Sequence, residues 1–228
     1  GRKSGELACL AVWTVLGSRV GGWMKSDNCA FPLTRVQLDL WLAQETGHSG
    51  TEWQVGLLVK IEGAVEHDLL EWSIRRVVQE AEPVRIGCFE QNGEVFQRVL
   101  DNPAVELAFY NVSRSPHAVQ DVHEMASAIQ RTPMAMVGPL YKFVLFQMAS
   151  DEFYFFACLH HIVADGIGIA LVGQRIAAVY SAVVSGEPIP PAFFGSLKEL
   201  VDCEWEYEAS ADYLADEAYW TANLPSDS

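Results

Sequence analysis

The stretch that most constrains this chain runs from Phe153 to Gly166. Phe153-Tyr154-Phe155-Phe156-Ala157-Cys158-Leu159 carries no charge, and His160-His161, three further residues and Asp165-Gly166 follow at once. An unbroken apolar run of that length predicts a strand buried on both faces. Ile167 to Val184 is rich in small and apolar residues and reads as a helix. Two histidines, an aspartate and a glycine therefore sit where a buried strand gives way to a loop and then a helix. Polar groups at such a place are costly unless they are hydrogen-bonded or used.

The flanking sequence alternates helices and strands. Thr34 with Gln37 has the form of a capping box, and Val36, Leu40 and Trp41 follow at helical spacing. Gly47 to Gly50 reads as a turn and Trp53 to Ile61 as a strand. A helix opens at His67-Asp68, with Leu70, Ile74, Val77, Val78 and Ala81 on one stripe, and Pro83 closes it. Phe89-Glu90, the turn Gln91-Asn92-Gly93 and Val95 to Leu100 form a hairpin. Val105 to Tyr110 is a strand. Ser115-Pro116 starts a helix striped with Val119, Val122, Met125, Ala126 and Ile129. Tyr141 to Ala149 and Glu152 to Leu159 are strands joined at Ser150-Asp151. Pro188 to Pro191 is a linker, and Leu197 to Leu224 reads as one long acidic amphipathic helix. The pattern is that of an α/β fold with a mixed sheet.

Composition excludes several functions. The net charge is −15 and no basic cluster exceeds Arg75-Arg76, so phosphate-rich partners such as nucleic acid are excluded. The same charge disfavours an anionic membrane surface and either suits a neutral or basic partner such as an amine or simply serves solubility. Five cysteines, an odd number without a C-x-x-C pair, fit a reduced cytoplasmic chain better than a disulfide framework or a zinc site. No run is expected to reach the length of a transmembrane helix, and no glycine-rich phosphate loop is present. Arg2-Lys3 and Leu7 to Leu16 imitate a signal peptide, but Glu6 interrupts and Ser18-Arg19-Val20 makes a poor cleavage site. Residues 1–23 are read as an upstream extension rather than a targeting or docking segment, and residues 1–30 as lying outside the fold.

Neighbouring residues of a strand point to opposite faces. His160 shares a face with Cys158 and Phe156, His161 with Leu159 and Ala157. One imidazole should be structural and the other should face a cavity, and the pair cannot easily share a metal. A neutral imidazole at the edge of a tunnel can take a proton from an attacking amine or alcohol. That suits acyl transfer from an activated thioester directly to the acceptor, with no serine or cysteine nucleophile. Asp165 is too far along the chain to act as an in-line partner of His161. It is better placed to hold the loop through an arginine. Gly166 allows an unusual backbone angle or the close approach of a substrate.

His160-His161-Ile162-Val163-Ala164-Asp165-Gly166 resembles the HHxxxDG signature of condensation domains in non-ribosomal peptide synthetases, members of the chloramphenicol-acetyltransferase-like superfamily. Pro32-Leu33-Thr34-Arg35-Val36-Gln37, continuing to Trp41, is similar to the opening motif of that family. Val137-Gly138-Pro139-Leu140, Glu204-Trp205-Glu206 and Ala218-Tyr219-Trp220 to Leu224 also match, and the likeness covers residues 31–224. It implies an α/β lobe with a mixed, mostly antiparallel sheet flanked by helices. It further implies His161 as the catalytic residue, with His160, Asp165, Gly166 and Arg85 structural at the site, Arg85 as the candidate partner of Asp165, and no bound cofactor or metal. Substrates would arrive on the phosphopantetheine of upstream and downstream carrier proteins, in a protein that also holds an adenylation domain.

Two features depart from the family pattern. Its R-H-E-x-L-R motif reads Glu80-Ala81-Glu82-Pro83-Val84-Arg85 here, which leaves room for a starter-type domain with a fatty or aryl acyl donor. The chain also has half the expected length. Residues 31–186 would be the N-terminal lobe and 187–228 a linker and inter-lobe helix, with the C-terminal lobe missing. The other readings are a free-standing acyltransferase forming an ester or amide from a CoA or carrier thioester, and a non-catalytic carrier-docking module.

Overall fold

A computed structural model describes residues 30–47 and 50–224. The extension read over 1–30 falls, but for residue 30, outside the described residues, and so does the middle of the Gly47–Gly50 turn. In chain order the elements are β1 (Phe31–Pro32), α1 (Arg35–Thr46), β2 (Gln54–Glu62), α2 (His67–Glu80), β3 (Ile86–Gln91), β4 (Glu94–Val99), β5 (Leu107–Asn111), α3 (Ala118–Gln130), β6 (Tyr141–Ala149), β7 (Glu152–His160), α4 (Gly166–Ser185), α5 (Leu197–Glu208) and α6 (Ala211–Asn223).

The main sheet has the order β2-β7-β6-β5, antiparallel except where β5 runs parallel to β6. The apolar run of β7 lies between β2 and β6 and is buried from Phe155 to His160. Such a central strand, covered on both faces, explains why the sequence there does not alternate. Helix α3 covers one face: a Cβ on Gly56, the partner of Cys158, would strike the Gln130 side chain. Helix α4 covers the other, where Gly173 lies against Leu57. Helix α2 packs on α4, and its predicted stripe of Leu70, Ile74, Val77, Val78 and Ala81 is buried in full.

The β3–β4 hairpin does not join this sheet. It forms a second sheet of order β1-β4-β3 with the two residues Phe31 and Pro32, which the sequence reading left without a strand. The far edge of β3 accepts the segment before β6, Cys88 N–H donating to the Met136 carbonyl at 2.7 Å. Gly87 makes this approach possible, because any Cβ there would collide with the Val137 carbonyl.

Four other expectations need correction. Leu197 to Leu224 is two helices, because the Ser210 hydroxyl accepts the Tyr213 N–H at 3.2 Å and restarts the chain as an N-cap. Helix α3 starts at Ala118 rather than at the Ser115 cap; the Ser115 hydroxyl instead accepts the His117 N–H at 3.1 Å. Val36 is exposed, and Gln37 takes its place with Trp41 on the buried side of α1. Finally, α4 has 20 residues with a hydropathy of 1.7, long and apolar enough for a membrane span by those measures alone. It is instead a core helix, with Ile169, Val172, Ile176 and Val179 buried and an ion-paired arginine, Arg175, among them.

Candidate active site

The site is built where β7 ends. His161 N–H donates to the Trp53 carbonyl at 2.6 Å, which extends the β2–β7 ladder one residue beyond the strand. Its ring meets the Trp53 indole edge-on, with centroids 6.4 Å apart and planes at 76°. His161 is half-buried. Among the described residues neither of its ring nitrogens has a hydrogen-bond partner.

His160 is the opposite case. Its side chain points to the α3 side of the sheet and is 1% exposed. Ring Nδ1 accepts the Ile162 N–H at 3.1 Å, and Nε2 lies 3.4 Å from Gln44 Oε1. Gln44 donates its own Nε2 to the Gly50 carbonyl at 2.9 Å, which turns its oxygen toward the ring. The network therefore requires a neutral imidazole with its proton on Nε2. Burial, and secondarily the neighbouring His161, push the His160 pKa down to about 4.

This gives a pH dependence. The pKa of His160 is lower in the folded chain than in the unfolded one, where it is about 6.5. Below that value the unfolded chain takes up a proton that the folded chain refuses. The contribution is complete above pH 6.5, about 3 kcal/mol, and is lost as pH falls toward 4. Urea unfolding between pH 7 and 4 should show that slope, and His160→Gln should flatten it.

The loop beyond His161 is tied down at each step. Val163 N–H donates to the His160 carbonyl at 3.0 Å. The Ile162 carbonyl accepts Gln37 Nε2 at 3.2 Å. Asp165 then caps α4, its Oδ1 accepting the Gly168 N–H at 2.7 Å. An acceptor at that place satisfies an orphan amide and complements the positive end of the helix.

The clasp expected between Asp165 and Arg85 is not formed. Among the described residues Asp165 makes no ion pair, and its one side-chain bond is the cap. Arg85 Nη1 donates to the Leu100 carbonyl at 2.6 Å, while its Nε is buried without a partner. Capping alone accounts for an aspartate before a glycine-started helix, so no cation is required. Gly166, the first residue of α4, has an ordinary backbone angle, and a Cβ on it would meet no atom within 4 Å. The unusual angle is excluded, and free space at the mouth of the helix is what the glycine supplies.

Glu80 and Glu82, from the variant motif, are structural fasteners. Glu80 receives Arg175 through two bonds, Nε at 2.8 Å and Nη2 at 3.0 Å, and Arg76 through Nε at 2.9 Å. Arg175 Nη1 also donates to the Pro190 carbonyl at 2.9 Å, and Glu82 accepts the Leu197 N–H, the first of α5, at 2.9 Å. Together they bind the proline linker and α5 to α2 and α4.

A second polar group lies on the α3 side. Lys142 Nζ donates to the carbonyls of Ile129 and Thr132 at the end of α3 and lies 3.4 Å from Gln54 Oε1. It closes a helix C-terminus with a cation. Sequence reasoning missed Gln44, Gln54 and Gln97 entirely. The only signal for them is a glutamine at a position where the pattern calls for an apolar residue. Among the described residues, no three His, Cys, Asp or Glu side chains gather as a metal site.

A sheet of this topology, with a free imidazole at the end of its buried strand and a capped helix beyond, defines a lobe of the condensation type. The family model described as the condensation domain matches residues 28–227, and the chain belongs to that family. It is 28% identical to the dimodular nonribosomal peptide synthase of Bacillus subtilis (strain 168), over 86% of this chain and 8% of the relative. It is 28% identical to enterobactin synthase component F of Escherichia coli (strain K12), over 83% of this chain and 15% of the relative. Among solved structures it is similar to the starter condensation domain of rhizomide synthetase RzmA, with a TM-score of 0.81 and 28% identity, over 87% of this chain and 49% of that one. The first condensation domain of the calcium-dependent antibiotic synthetase gives 0.79 and 28%, over 85% and 47%. The chain thus spans a small part of the curated relatives and about half of the solved domains.

Proposed function

We propose that this chain is the N-terminal lobe of an amide-forming condensation domain, with residues 31–186 as the lobe and 187–228 as the linker and inter-lobe segment. In the whole domain the amine of a carrier-bound aminoacyl group attacks the carbonyl carbon of an upstream acyl thioester. The C–N bond forms, the C–S bond breaks, and the amine proton passes to the departing sulfur. The observation that carries this reading is the half-buried His161 ring, whose nitrogens no group among the described residues occupies. From there it can accept a hydrogen bond from the attacking amine and relay its proton. His160, bonded through both nitrogens, orients the loop and takes no part in the transfer.

A starter-type donor, a fatty or aryl acyl group, is the subtype proposed. In its favour are the altered Glu80–Arg85 motif and the likeness to a starter condensation domain also solved in complex with C8-CoA, with a TM-score of 0.83 and 28% identity. The partners are the two carrier proteins with their phosphopantetheine arms, the C-terminal lobe and an adjacent adenylation domain, all in the cytoplasm. The exposed Leu214, Tyr219, Trp220 and Leu224 on and just beyond α6, where no helix residue is buried, give a surface for the C-terminal lobe.

The test is a panel of acceptors offered to the intact domain with an acylated carrier. An amide on a carrier-bound aminoacyl acceptor is expected. An ester from a free alcohol as the sole product would assign an ester-forming acyltransferase instead. Carrier binding with no product from any acceptor would leave only a docking module.

A further inference from the structure

The buried amides of Gln37 and Gln97 form a closed pair at the base of the His161 loop. Gln37 Nε2 donates to Gln97 Oε1 at 3.1 Å, and Gln97 Nε2 donates to Gln37 Oε1 at 2.7 Å. Further bonds use the rest of the Gln37 amide and the second N–H of Gln97. Gln37 Oε1 accepts the Thr34 N–H at 3.0 Å, Gln97 Nε2 donates to the Pro32 carbonyl at 3.0 Å, and Gln37 Nε2 donates to the Ile162 carbonyl at 3.2 Å. Gln37 thus accepts two bonds at oxygen and donates two at nitrogen, and its amide can point only one way.

The consequence lies one residue from His161. The Ile162 carbonyl leaves the strand ladder, and this glutamine, 125 positions away, is the side chain that holds it. Among the described residues the ring of His161 has no hydrogen-bond partner, so its direction is set by its backbone and by Trp53. On one side the backbone is fixed by the bond to the Trp53 carbonyl. On the other it is fixed by Gln37. We propose that Gln37, clamped by Gln97, is a positioning residue that aims the His161 imidazole, a role that rests on the proposed chemistry of the same site. A simple capping box needs the Gln37 side chain only at the Thr34 N–H. It does not need the amide buried, paired with a second glutamine and aimed at the loop. A buried polar pair in which Gln37 makes four bonds and Gln97 three is the arrangement that specifies one geometry.

The test separates aiming from mere stability. Gln37→Met keeps the length of the side chain and removes all of its bonds. Gln97→Met removes the clamp but leaves the cap and the Ile162 bond available. Thr34→Ala is the control: it deletes the hydroxyl half of the capping box and leaves the amide pair intact. In this 228-residue chain, with folding checked by circular dichroism, the imidazole resonances of His161 should shift in Gln37→Met and to a smaller degree in Gln97→Met. They should hold their place in Thr34→Ala. In the intact domain, Gln37→Met should lower kcat about 10- to 100-fold, the scale of a misplaced catalytic group, with the acyl-donor KM changed less than about twofold.

Unchanged His161 resonances in a folded Gln37→Met chain would overturn the proposal, and so would an equal shift in Thr34→Ala. If Gln37→Met does not fold, Gln97→Met decides on the same readout. The resonance measurement needs no turnover. Shifted signals in a domain that makes no amide would leave the clasp standing and remove only the proposed reaction.

Discussion

Glu80→Ala is expected to lower the free energy of unfolding by about 3–5 kcal/mol, as a broken buried ion pair does. Arg175 is 2% exposed and sits between Val172 and Ile176 in the apolar core helix. With Glu80 gone, its guanidinium keeps one carbonyl, that of Pro190, and stays out of water. The penalty comes from the stranded charge more than from the lost attraction. Glu80→Leu combined with Arg175→Met should therefore cost much less than Glu80→Ala alone. Urea unfolding curves of the three proteins measure the difference through their midpoints at constant slope. A loss under about 1 kcal/mol in Glu80→Ala would show that the arginine finds water, against the burial observed.

The same carboxylate gives a second acid-sensitive window. Hydrogen bonding from Arg175 first, opposed by burial and helped by Arg76, holds the Glu80 carboxyl below its ordinary value. Its contribution is full above the unfolded carboxylate range and disappears as pH falls through the lowered folded value. That window lies below the His160 window.

His161→Ala in the intact domain is expected to reduce amide formation about 10²- to 10⁴-fold, the usual worth of a positioned acid–base group. The chain should stay folded, because the ring is half-buried and has only the Trp53 edge to lose. His160→Ala gives the contrasting result. It strands the Ile162 N–H and opens a cavity beside Gln44, so stability falls together with activity. The measurement is product formed between loaded carriers, set beside thermal unfolding of each variant. Undiminished product from His161→Ala would remove this residue from the chemistry whatever the family pattern implies.

The parts of the site that were legible in the sequence are those carried by neighbours in the chain. The buried strand, the loop and the helix after it could be read because hydrophobic period and capping residues act over a few positions. Strand alternation predicted that one of His160 and His161 is structural and the other faces a cavity, and the family resemblance chose between them. The structure adds that β7 ends at His160, so the second ring belongs to the turn. The Arg85 pairing failed for a physical reason: opposite charges far apart in sequence have no preferred partner until the fold chooses one. Arg175 carried a signal that went unread, a lone charge in an otherwise apolar 20-residue helix. The split between α5 and α6 was hidden because the amphipathic pattern continues across Ser210 while its hydroxyl interrupts the backbone bonding.

By itself the sequence determined the order of helices and strands around the motif and the burial of β7. Those depend on side-chain period and on hydrogen bonds between near neighbours, which are properties of short segments. Only the tertiary structure decided that Gln37 and Gln97 lock together under the loop, that Gln44 fixes the tautomer of His160, and that Glu80 neutralises Arg175. These partners lie 60, 116 and 95 positions apart. Directional bonds over such separations arise when the sheets and helices pack, because only then do both ends leave water and need each other.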